Sequence, residues 1–60
     1  MKYKIEIHAM GYEDTAKVVD RQSRNRITKN DILEAKVEWI NHNALDVDDC
    51  EMPFHRITKL

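Results

Sequence analysis

The residue types best suited to hold an anion lie together in the run Met52-Pro53-Phe54-His55-Arg56-Ile57. A guanidinium offers two parallel N–H donors to a phosphate and an imidazole offers a third, which makes His55 and Arg56 candidate phosphate ligands. In an extended segment Phe54 points one way and His55 the other. Arg56 then returns to the side of Phe54 unless Pro53 introduces a bulge that re-aims it. A second group of cations lies upstream, where Lys17, Arg21, Arg24, Arg26 and Lys29 accompany a single acid, Asp20. Arg21, Arg24 and Arg26 suit a phosphate backbone but have no neighbouring ring on which a base could stack. The plain alternative for both groups is that the charges only solvate a strand and a loop.

Other chemistries are less well served. His8, His42, Cys50 and His55 supply four imidazole and thiolate ligands that tetrahedral zinc accepts, yet their spacings match no compact pair, so no metal is expected. Asp46, Asp48, Asp49 and Glu51 look like part of a calcium loop, but the glycine required for its sharp turn is absent. Cys50 and His55 would sit ~17 Å apart in an unbent strand, too far for a nucleophile and its base. Nor does so short a chain readily enclose a dry pocket. Binding without catalysis, and without a cofactor, is the expectation.

The string Met-Pro-Phe-His-Arg-Ile at residues 52–57 resembles the Ile-Pro-Tyr/Leu-His-Arg-Ile ending of the RNA cyclic-group end recognition domain family, a group of small, mostly archaeal proteins and eukaryotic modules. Ile27-Thr28-Lys29-Asn30-Asp31-Ile32 is similar to the hydrophobic-x-x-x-Asp-Ile element that the family places before its final hairpin, and Tyr3 to Ile7 matches its first strand. The resemblance implies recognition of RNA termini that carry a 2′,3′-cyclic phosphate. The family's first strand tends to end in an Arg, where this chain has His8-Ala9-Met10. Arg21, Arg24 or Arg26 would then take that role.

These residues need elements to hold them. Lys2 to His8 alternates, with Tyr3, Ile5 and Ile7 on one face and Lys2, Lys4, Glu6 and His8 on the other, the period of a half-buried strand. Gly11 with Glu13 and Asp14 supplies turn chemistry, and Thr15 to Asp20 completes a hairpin. Arg21 to Arg26 reads as an exposed loop. Between Thr28 and Ile40 two patterns compete. Thr28 or Asn30 suits a helix cap, with a stripe of Leu33, Lys36, Val37 and Ile40. Leu33, Ala35, Val37 and Trp39 alternate with Glu34, Lys36 and Glu38, which favours a strand over Leu33 to Ile40. Cys50 to Leu60 makes a last strand, placed at an edge or bulged by Pro53.

The predicted fold is therefore mostly β, one domain spanning residues 1–60, built as a small curled antiparallel sheet or partly open barrel of about four strands. The alternative is α+β with one helix near residues 30–41. Its expected core is Ile5, Ile7, Val18, Leu33, Val37, Trp39, Phe54 and Ile57.

The 60 residues are 42% hydrophobic and 35% charged, too apolar for a disordered tail and too few for two domains. A formal net charge of -1 excludes a generically basic nucleic-acid glue, so any RNA contact must come from local segregation of charge. One cysteine excludes an intrachain disulfide, and no apolar run suits a signal peptide or a membrane span, so a cytoplasmic setting is expected. A small core without staples favours a homodimer or a larger protein partner. The leading expectation is a module binding a phosphorylated RNA end through His55, Arg56, Arg21, Arg24, Arg26 and His8. Its rival is a protein-interaction or structural domain that pairs by a strand edge.

Overall fold

The structure, a computed structural model, describes residues 1–46 and 53–60. Strand β1, Lys2–His8, alternates buried and partly exposed residues along its whole length. The chain reverses at Gly11, whose φ of 85° suits the one residue here without a Cβ, and the Tyr12 amide donates to the Ala9 carbonyl at 3.2 Å. Strand β2, Thr15–Asp20, then pairs antiparallel with β1 from Lys2↔Asp20 to Ile7↔Thr15. Arg24–Arg26 form one 3₁₀ turn within the basic loop. Helix α1 covers Lys29–His42, and strand β3, Phe54–Lys59, returns antiparallel to β1 on its other side. The sheet order is β2-β1-β3.

Among the described residues the architecture is thus α+β, an open three-stranded antiparallel sheet with one helix, which agrees in part with the alternative of one helix near residues 30–41. It corrects two expectations, the four-stranded curled sheet or barrel and the strand over Leu33 to Ile40. Thr28 decides the second. Its hydroxyl accepts from the Asp31 amide at 3.3 Å while its own amide donates to the Asp31 carboxylate at 3.0 Å, a reciprocal cap that nucleates the helix. The Leu33–Glu38 run that follows is mostly strong helix formers, so the alternation of apolar residues is overruled by a capped end and favourable propensity.

The stripe that α1 buries is not the one its large apolar residues suggest. Asp31, Ala35 and Trp39, spaced by four, face the sheet, and Trp39 is fully enclosed. Lys36 need not occupy the centre of the buried face, because that face lies one step round the helix. Leu33 and Val37 are consequently exposed, at 57% and 46%. Val18 and Phe54 are also outside the core. Their partners across the sheet, Lys4 and His8, stand on the face of β1 turned away from the helix. Val19 and Tyr3 fill the inner layer with Ile5, Ile7, Ala35 and Trp39, and Ile57 is partly buried against them. Tyr12 meets Trp39 edge to face with ring centroids 5.3 Å apart.

The helix ends in a tight cap. The Leu45 amide donates to the Ile40 carbonyl at 3.0 Å and the Ala44 amide to that of Asn41 at 3.2 Å, the paired bonds of a Schellman motif. Ala44, at the position glycine normally takes, holds a φ of 53°.

Candidate nucleic-acid interface

Charge is segregated along α1. On the flank toward β2, Glu34 and Glu38 meet Lys17, whose ammonium lies 3.9 Å and 3.0 Å from their carboxylates. The bond to Glu38, then the charge of Glu38, holds the Lys17 pKa above its ordinary value. Both acids of the helix's middle turns are therefore committed. The opposite flank carries Lys29 and Lys36, seven residues apart and so on one side of the helix. Because α1 packs over β1 and β2, this basic flank overhangs β3 without closing on it.

An open groove of about 370 Å³ results, lined by Lys29, Asn30, Ile32, Leu33, Lys36 and His55. His55 reaches it because its partner in the sheet is Ile7, an inward residue of β1. Among the described residues the lining contains two ammonium groups, an imidazole and a carboxamide beside apolar Ile32 and Leu33, and no carboxylate. Such a surface supplies hydrogen-bond donors and positive charge in one concavity, the complement of a phosphate ester.

Arg56 lies on the other side of β3. The β1–β3 register runs without interruption from Phe54 to Lys59, so Pro53 does not re-aim it, and Arg56 stands opposite Glu6 on the face without a helix. His55 and Arg56 thus diverge across the sheet and form no common donor pair. Phe54 shares the face of Arg56 and is 77% exposed. Across from it, His8 is held at both ring nitrogens, Nε2 at 3.0 Å from Glu6 and Nδ1 at 3.0 Å from Asp14. Glu6 also meets Lys4 at 3.2 Å, and the Lys4 bond, ahead of the nearby charges of Lys4, His8 and Arg56, keeps its carboxyl pKa low. Among the described residues Arg56 makes no ion pair.

The basic loop divides. Arg21 donates from Nη2 to Asp31 Oδ1 at 2.6 Å and from Nη1 to the Asp20 carbonyl at 2.7 Å, so its guanidinium is occupied in joining the end of β2 to the start of α1. Arg24 and Arg26 remain exposed on the 3₁₀ turn. Of the six candidate residues, only His55 reaches the groove. His8 and Arg56 share the open sheet face, and the arginines of the loop lie elsewhere. Lys29 and Lys36 were not among the candidates. Their seven-residue spacing signals a shared flank only once the segment is taken as a helix.

His42 is paired with Glu13 at 2.6 Å, and among the described residues no cluster of three or more His, Cys, Asp or Glu is arranged to hold a metal. Cys50 and the acids Asp48, Asp49 and Glu51 lie outside the described residues. No described helix is long and apolar enough to cross a membrane. Comparison with protein-family models, with curated proteins and with solved structures gives no match to this chain.

Proposed function

We propose that this chain is a non-catalytic module that binds a phosphorylated RNA end, the terminal phosphate entering the groove between α1 and β3. The observation that carries the reading is the groove's lining, in which Lys29, Lys36 and His55 converge with no acid among the described residues. The resemblance of residues 52–57 to the RNA cyclic-group end recognition family adds a ligand class, with His55 as the residue common to both arguments. Two lysines and an imidazole make point contacts to a doubly charged phosphate monoester or a singly charged cyclic diester, and the apolar side chains of Ile32 and Leu33 suit the sugar carbons. The groove is open to water, which suits recognition better than bond cleavage.

The test is a titration with short RNAs identical except for a 2′,3′-cyclic phosphate, a 3′-phosphate or a 3′-hydroxyl, at two salt concentrations. Tighter binding of either phosphorylated end supports the reading. Equal affinity for all three ends reduces it to backbone attraction, and no binding leaves the interaction-domain reading in front. That second reading has its own observation: Val37, and Leu33 at the edge of the groove, are exposed apolar side chains of α1. It requires self-association or a protein partner, and sedimentation of a stable monomer at micromolar concentration would remove the homodimer.

A further inference from the structure

The face of the sheet away from α1 carries an exposed aromatic ring that the core does not use. Tyr3 and Trp39 are buried and Tyr12 packs on Trp39, so among the described rings Phe54 is the one left to solvent. Its surroundings are unlike a protein-docking patch. The neighbouring outward strand positions are Lys4, Glu6, His8, Arg56 and Thr58, and among the described strand residues of this face Val18 is the other large apolar side chain. Protein interfaces cluster several apolar anchors at their centre, whereas a nucleobase needs one flat ring with cations beside it. Two described acids here are already engaged: Glu6 by Lys4 and His8, Asp14 by His8. Arg56, two residues along the strand from Phe54 and on the same face, makes no ion pair among the described residues.

We propose that Phe54 is a stacking platform for a base of a single-stranded RNA, flanked by Arg56 as a backbone contact, so that the ligand is an oligonucleotide rather than a mononucleotide. The inference rests on the end-binding reading and extends it round β3. His55 faces the groove and Phe54, the adjacent residue, faces the open side. β3 is an edge strand, so no described strand blocks the path of a polynucleotide backbone from one face to the other. A base on Phe54 and a phosphate at His55 then belong to one chain folded over that edge.

The experiment compares Phe54→Ala, Phe54→Trp and the wild type against a pentanucleotide ending in a 2′,3′-cyclic phosphate, the same pentanucleotide with a 3′-hydroxyl, and adenosine 2′,3′-cyclic phosphate alone. Circular dichroism checks that each variant folds, which the exposure of Phe54 favours. Phe54→Ala is expected to weaken both pentanucleotides by about 5- to 150-fold, to leave the mononucleotide unchanged, and to be rescued by Phe54→Trp. Undiminished pentanucleotide binding by Phe54→Ala overturns the platform, as does an equal loss for the mononucleotide. A wild type that binds both pentanucleotides equally, with Phe54→Ala still weaker, supports the platform while ending the end-recognition reading. A wild type that binds neither pentanucleotide ends both.

Discussion

Arg21 and Asp31 meet at two points, Nη2 to Oδ1 at 2.6 Å and Nε to Oδ2 at 3.3 Å, and Asp31 is 7% exposed. The same carboxylate accepts the Thr28 amide, so one buried acid caps α1 and ties the basic loop to it. Its pKa lies below the usual carboxylate value, first because of the Thr28 amide and then because of Arg21, both of which favour the charged form.

Acid should therefore weaken the fold through this residue. A carboxyl whose folded pKa is depressed contributes stability that is complete above the unfolded value of about 3.9 and is lost as pH falls through the folded one. Thermal melts from pH 7 down to pH 2.5 should show a falling midpoint below pH 4. Asp31→Asn should lower the midpoint at pH 7 and flatten that decline, since an amide has nothing to titrate. An unchanged acid limb in Asp31→Asn would assign the effect to Glu6, the other described carboxyl whose pKa is held low.

The alkaline side has the opposite sign. Lys17 has a raised pKa in the folded chain, so its contribution is complete below the unfolded value of about 10.4 and is lost as pH rises through the higher folded value. Lys17→Met keeps the stem that lies between β2 and α1 and removes the charge. It should flatten the alkaline limb of the melting curve above pH 10 with little change in the acid limb.

Ala44 offers a stabilising change. An L-residue in the left-handed region costs roughly 1–2 kcal/mol, and glycine escapes that cost while losing about 0.4–1 kcal/mol through the greater freedom of its unfolded chain. Ala44→Gly should therefore gain about 0.5–1 kcal/mol, raising the melting midpoint by roughly 2–8 °C. Calorimetry decides it, and a lowered midpoint would mean that the methyl group has a packing role outweighing the φ of 53°.

How far the sequence announces this arrangement depends on the range of the forces involved. β1 is legible to the residue, because a half-buried strand alternates and nothing competes with that pattern. The helix is legible in its cap, Thr28 with Asp31, but its apolar residues mislead: Leu33 and Val37 satisfy a strand and an outward stripe equally well. Burial goes instead to Ala35, whose small side chain lets α1 lie close to the sheet, and to Trp39, which fills the space beyond. That choice depends on the shape of the other layer, which no local pattern encodes. The site divides in the same way. His55 is marked by its motif, whereas Lys29 and Lys36 gain their meaning from a helix that places them across from it, and Arg21 loses its candidacy to an acid ten residues away.

The cations can be separated by what each does to affinity, end preference and salt dependence together. Lys36→Ala removes a charge from the groove, so it should weaken RNAs with a phosphorylated end more than those with a hydroxyl, shrinking the ratio between them. His55→Gln keeps a donor but not the ring and should reduce the same ratio. Arg24→Ala, on the 3₁₀ turn, should weaken every end alike and lower the salt slope by about 0.7, the share of one phosphate contact on a single strand. Arg56→Ala should follow the Arg24 pattern in end preference, because it stands on the face away from the groove, but its effect should grow with RNA length as bases reach Phe54. The arrangement makes a strong demand: two adjacent residues of β3, His55 and Arg56, must behave differently. Equal loss of end preference in His55→Gln and Arg56→Ala would place both on one ligand and contradict the divergence of their side chains across the sheet.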